Sequence, residues 1–515
     1  MARPRSSDVS NAGVIPPFLL SLFLLLPLLP GQGLFLGRME DPPVLARRLA
    51  LVVKTAERVD SSRRSAMIPF LVDAAKGLST EEVGRVLDGL NRAVLAGNGL
   101  PAGPENLFRL RLFLHALPEV QDAGKGAKIH LTVRLLVPMK IPPGMEVFFR
   151  VRDPWTGRIL REKKFPGKTG KEELLRYDVT LPFALDDLPP GRYLGEGEIR
   201  FAGRAPARPD VLDQKTPFYL LDGFGKRMSL LGKRYLALER RLAASKGKGR
   251  TGPAWAGALP SLVTVLGELD RAVNPAKGNP PLVEVDQARC LVLGESWTRL
   301  MEEGTDPLRE VLGDVPAGTR VPGGTVVPMR VYLPPGLPPR GKRKGLLFLP
   351  DELGGEADLA QVHGTGRLPG LAAREKLVVA CLQAGYLKKG GDPIRAARET
   401  LIREFGLSPR GITLAGQGRG ASQAYYAALA HPDLWGGLVL VSGPPVDPRN
   451  PAPLGGRRTL YLEGEKDPDR AYLGPLEELS RQGKVRYLVI PGAERFLALS
   501  MGLEKIFAHA ASFHE

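Results

Sequence analysis

Cysteine is scarce in this chain, two residues in 515, Cys290 and Cys381. That count excludes a disulfide-stapled scaffold, and neither thiol belongs to a paired metal-binding or redox motif. Cys290 falls in a helix-like segment and Cys381 ends an apolar strand-like run, so both read as small buried hydrophobes. The six histidines, His115, His130, His363, His431, His509 and His514, share no spacing that suits a zinc site. No metal and no cofactor are expected. Aromatic residues make up only 6% of the chain, and none interleave with the densest basic runs at 246–250 and 340–344, which lie in Gly-rich or Pro-rich loops. Stacking platforms for bases are therefore lacking, and nucleic acid is disfavoured as a partner despite a formal net charge of +17. Solvated loop charge accounts for that surplus, and a surface for acidic polysaccharide or lipid headgroups is the alternative.

Long apolar runs are equally rare. The exception is 14–29, which holds no charged residue, follows Arg3 and Arg5, and precedes Arg38, the next positive charge. That is the layout of a basic n-region followed by an apolar h-region, and it predicts export. Pro16, Pro17, Pro27 and Pro30 interrupt it and weaken the case for a spanning helix. Gly31-Gln32-Gly33 is the nearest approach to a small-residue cleavage site, so 1–38 is either a signal peptide or a membrane anchor. Translation beginning at Met39 would instead make the protein cytoplasmic.

The length is too great for one ordinary core and implies several units. From 39 to 125 apolar residues such as Leu45, Leu49, Val52 and Val53 recur at helical spacing, and the run Ser79-Thr80-Glu81-Glu82 has N-cap chemistry. From 126 to 223 short β-branched or aromatic runs alternate with Pro, Gly and Asp turns, which predicts an immunoglobulin-like β-sandwich. Within it, Leu188-Pro189-Pro190-Gly191 reads as a turn that feeds an edge strand. Residues 224–304 return to helical periodicity and read as a linker region.

From 305 to 515 apolar strand-like runs recur at 326–333, 345–349, 377–381, 412–415, 438–441, 459–462 and 486–490, mostly separated by helical segments. Such alternation predicts a largely parallel sheet with flanking helices. The clearest helix starts at Asp392 and Pro393, carries Ile394, Leu401 and Phe405 on one face, and ends at Gly406.

Three segments carry a family resemblance: Met329-Arg330-Val331-Tyr332-Leu333-Pro334-Pro335; the run Gly416-Gln417-Gly418-Arg419-Gly420; and His431 through Gly437, which leads into Val439-Leu440-Val441-Ser442-Gly443. In order and spacing they resemble α/β-hydrolases, nearest to secreted esterases and prolyl-oligopeptidase-like peptidases. The likeness covers about the last 200 residues. The resemblance implies a nucleophile elbow whose serine position is Gly418, an acid position at Asp467, and a histidine position at Arg495. It places Asp351 and Arg419 around the oxyanion site, and only the acid of the triad is retained. A glycine offers no attacking oxygen, and a guanidinium cannot accept a proton at neutral pH. Ser422, one helical turn on, and Ser442, at a strand end, read as structural. The expectation is a non-catalytic binding or scaffolding protein for a small-molecule, peptide or polysaccharide ligand. The alternatives are a serine-type esterase or peptidase-like hydrolase with an unconventional nucleophile, and a polyanion-binding surface protein.

Overall fold

A computed structural model describes residues 42–79, 82–135, 145–166, 178–201, 214–246, 252–274, 285–350, 367–383, 392–443, 452–454, 458–468, 470 and 474–512. The leader, Met39, His363, His514 and the acidic Asp351 lie outside the described residues.

The chain opens with three helices, α1 (Pro42–Arg58), α2 (Ser61–Ser79) and α3 (Val83–Gly97). Ser79 belongs to the end of α2, and Glu82 occupies the N-cap of α3 without a side-chain capping bond. The side chain of Ser79, together with Thr80 and Glu81, lies outside the described residues. A short helix, α4 (Pro104–Arg111), runs directly into β1 (Leu112–Leu117), so extended structure starts before residue 126.

β1 joins β3 (Lys128–Leu135) and β6 (Asp178–Ala184) in a three-stranded sheet. β2 (Val120–Asp122), β4 (Met145–Arg152), β5 (Ile159–Pro166), β7 (Gly191–Phe201) and β8 (Gln214–Leu221) form a five-stranded one, in the order β2-β8-β7-β4-β5. Alternate residues of both sheets, among them Leu114, Leu131, Val147, Phe149 and Phe218, meet in one buried core, so the two sheets form a β-sandwich. Tyr193, the third residue of β7, donates its hydroxyl 2.6 Å to the carbonyl of Pro189, which ties down the Pro-Pro-Gly turn. That turn feeds a central strand between β8 and β4, not an edge strand, because both prolines stay outside the ladder.

Three helices follow: α5 (Phe224–Lys246), α6 (Leu259–Val273) and α7 (Gln287–Glu302). They are not an extended linker. Leu231, Leu262, Leu269 and Trp297 share a single core with Leu347, Leu349, Leu414 and Leu440 of the C-terminal sheet.

That sheet has eight strands in the order β16-β15-β14-β13-β11-β12-β10-β9. They are β9 (Gly313–Arg320), β10 (Val326–Leu333), β11 (Arg343–Leu349), β12 (Leu377–Leu382), β13 (Leu407–Gln417), β14 (Gly437–Val441), β15 (Thr459–Gly464) and β16 (Arg486–Ile490). The pairings from β12 through β11, β13, β14 and β15 to β16 are parallel, whereas β10 is antiparallel to both β9 and β12. Intervening helices are α8 (Arg367–Glu375), α9 (Asp392–Phe405), α10 (Arg419–Ala430), α11 (Gly474–Arg481) and α12 (Arg495–Ala511). One face of the sheet packs on α5–α7, α9 and α10; the other packs on α1–α3, α8 and α12. On that second face Arg367 bridges Glu57 of α1 (3.1 Å) and the carbonyl of Ser500 in α12 (2.9 Å). The helical regions on either side of the sandwich are thus layers of one structure, because a sheet with both faces apolar is stable only when both are covered.

Candidate functional site at the strand-to-helix elbow

β13 is buried along its last six residues and runs between β11 and β14. It ends in a turn that two glycines make possible. A Cβ on Gly416 would lie 2.2 Å from the carbonyl oxygen of Gly420, and one on Gly420 would lie 2.1 Å from that of Leu349. The first turn of α10 can pass over β11 only because both are bare backbone. Between them Gly418 has φ 55° and ψ −120°. Its N–H donates to the carbonyl of Val441 (3.0 Å), and its own carbonyl accepts from Ala421 N–H (3.1 Å), so the turn is pinned to β14 and to α10. This is the sharp strand-to-helix bend on which a nucleophile stands clear of the sheet, but the side chain is a hydrogen.

The two other residues that the resemblance assigns to a triad, Asp467 and Arg495, lie at the same carboxyl edge. Asp467 is buried just beyond β15, its N–H donating to the carbonyl of Gly464 (3.1 Å). Arg495 is the first residue of α12, and its carbonyl accepts a 3.1 Å bond from the side-chain amide of Gln417, the last residue of β13. Two further carboxyls join them. Glu463, 2% exposed at the end of β15, is pushed up to about 10 by burial and by the adjacent Asp467, against the lowering effects of Ser442 and Arg495. Glu494 is fully buried and caps α12, accepting from Phe496 N–H and Leu497 N–H at 2.9 Å each. Burial and Asp467 raise it to about 8, while those bonds and Arg495 hold it down. The position expected to hold a catalytic base therefore holds a cation set among three carboxyl groups.

An open, mostly parallel sheet, a strand-to-helix elbow at its carboxyl edge, and an acid loop and last-helix start beside it decide the architecture. Part of the chain, the eight-stranded sheet with its flanking helices, matches an α/β-hydrolase fold. No protein-family model matches the chain, and no curated protein does. Solved structures similar to it include an S-formylglutathione hydrolase from Staphylococcus aureus at 15% identity, covering 40% of this chain and 98% of that one, TM-score 0.33. An arylesterase is 13% identical over 40% of this chain and 87% of its own, TM-score 0.31. A dienelactone hydrolase from Anabaena variabilis is 14% identical over 39% and 95%, TM-score 0.30.

On this hydrolase frame the remaining sequence candidates separate. Arg419 opens α10 with an exposed side chain, and Ser422 is half-buried one turn further along the same helix. Ser442 is buried at the end of β14 with φ 44°, one of two described non-glycine residues in the left-handed region, and its N–H donates to Leu462. His431 caps the far end of α10. His509 is buried at the opposite edge of the sheet. Its Nδ1 lies 3.2 Å from the Arg486 guanidinium and its Nε2 lies 3.4 Å from the carbonyl of Arg458, just before β15. Burial lowers it to about 4. Both cysteines are buried. Among the described residues no three His, Cys, Asp or Glu side chains come together as a metal site.

Glu463 and Glu494 escaped the sequence reading although each leaves a trace. Glu463 is the one charged residue in a strand otherwise apolar on both faces, and Glu494 precedes a helical run as a capping acid would.

Proposed function

We propose that this protein is a non-catalytic member of the hydrolase-fold class, exported or membrane-tethered, which binds or scaffolds a small-molecule, peptide or polysaccharide ligand. One observation carries the reading: the elbow residue is Gly418, in the strained backbone geometry of a nucleophile but without an oxygen. Arg495 at the base position supports it, since a guanidinium does not take up a proton at neutral pH. The rival is a hydrolase with an unconventional nucleophile, which a convergent Ser or Asp with a histidine in hydrogen-bond reach would favour. The β-sandwich is a spacer of immunoglobulin type on this reading, a view supported by the Tyr193-to-Pro189 corner.

The test is a serine-reactive fluorophosphonate probe together with a panel of short-chain aryl esters. The wild-type chain should be neither labelled nor active, and Gly418→Ser combined with Arg495→His should gain labelling. Wild-type labelling or turnover that Gly418→Ser does not increase would overturn the proposal.

A further inference from the structure

A cavity of about 580 Å³ opens at the amino edge of the eight-stranded sheet, the end away from the elbow. One wall carries the small apolar side chains of Pro253, Ala254 and Ala256, leading into the short turn before α6. The other carries three guanidiniums, Arg309, Arg340 and Arg403, and two carboxyls, Asp306 and Glu404. The carboxyls are already committed. Asp306 accepts a 3.0 Å bond from Leu308 N–H within its own turn. Glu404, 3% exposed, is paired with Arg403 and is raised by burial. The guanidiniums are not all spent. Arg340 donates through Nη2 to the carbonyls of Arg403 and Glu404 at the C-terminus of α9, but its buried Nη1 has no hydrogen-bond partner among the described residues. The Arg309 side chain likewise makes no hydrogen bond or ion pair among the described residues.

From this imbalance we infer that the cavity binds a small organic anion. A carboxylate or phosphate group would be held between Arg309 and Arg340, and an apolar portion would lie against Pro253 and Ala256. The volume suits such a ligand, the open guanidinium fork of Arg309 matches either oxyanion in a bidentate manner, and Nη1 of Arg340 adds a donor from the other side. The site goes beyond the elbow reading and is independent of it, because the 7 residues of β11 separate the two ends by roughly 20 Å of strand.

Titration calorimetry of the full chain at neutral pH and low salt tests this with phenyl phosphate, benzoate, inorganic phosphate and neutral phenol. Phenyl phosphate or benzoate should bind, whichever is tighter identifying the head group, and phenol should bind at least ten-fold more weakly. Arg309→Glu, a change at an exposed side chain, should weaken binding at least ten-fold; Arg309→Lys should retain part of it. Ala254→Trp, at the mouth, should abolish it, whereas Gly418→Ser should leave it unchanged. No binding of either aromatic anion, equal binding of phenol, or indifference to both Arg309→Glu and Ala254→Trp would overturn the proposal while leaving the elbow reading intact.

Discussion

Gly418 shows how much one backbone angle constrains a residue. At φ 55° any side chain with a Cβ is strained, so Gly418→Ser or Gly418→Ala should destabilise the fold by about 1–3 kcal/mol, read as a lower urea midpoint with an unchanged slope. The buried carboxyls beneath the elbow give a pH dependence of definite sign. Glu463 and Glu494 titrate in the folded protein at about 10 and about 8, both above the ordinary 4.5, so between roughly 4.5 and 8 the folded state holds protons that the unfolded state has released. Stability contributed by these two groups is fully present below about 4.5 and declines as pH rises, by up to roughly 1.4 kcal/mol per pH unit for each. Urea denaturation should show a midpoint lower at pH 8 than at pH 5.5. Glu494→Gln should flatten that profile, and a steeper decline in the variant would contradict the argument.

At the scale of elements, what was legible followed from packing rules with a single solution. The helix Asp392–Phe405 was readable because Ile394, Leu401 and Phe405 do face the core and Gly406 takes φ 69° just past its end. The strands β10 and β16 were readable because their apolar runs coincide with their full length. β9 was not, since Gly313, Pro316 and Gly318 weaken every strand signal, and the segment is extended only because it forms an edge paired with β10. The elbow itself was legible from spacing, but its support was not. That Gly416 and Gly420 are forced by carbonyls of Gly420 and Leu349 is a tertiary fact. Gly420→Ala should therefore cost about 1–3 kcal/mol or more, because the atom it meets is main chain that must move with α10 and β11. Chemical denaturation checks this, and a variant within 0.5 kcal/mol of wild type, taken as about the noise for surface changes, would refute it.

For the whole molecule, periodicity located the helices of 39–125 and 224–304 but could not tell what they cover. Both sets are amphipathic in sequence, and only the sheet between them explains their burial. Leu269, fully buried between α6 and the sheet, is far from the elbow in sequence, yet Leu269→Ala should cost about 2–5 kcal/mol and lower the thermal midpoint of a single transition shared by the C-terminal sheet. A fragment spanning 305–515 alone should give a broader unfolding transition at a lower midpoint, since it would strip α6 from β9 and β10 and α1 and α2 from α12. The bridge from Arg367 to Glu57 and Ser500 has a temporal consequence. Glu57 and Ser500 stand 443 residues apart in the chain, so on the ribosome the apolar stripe of α1 waits for that whole intervening stretch before α12 can cover it, and until then it needs shielding from other chains.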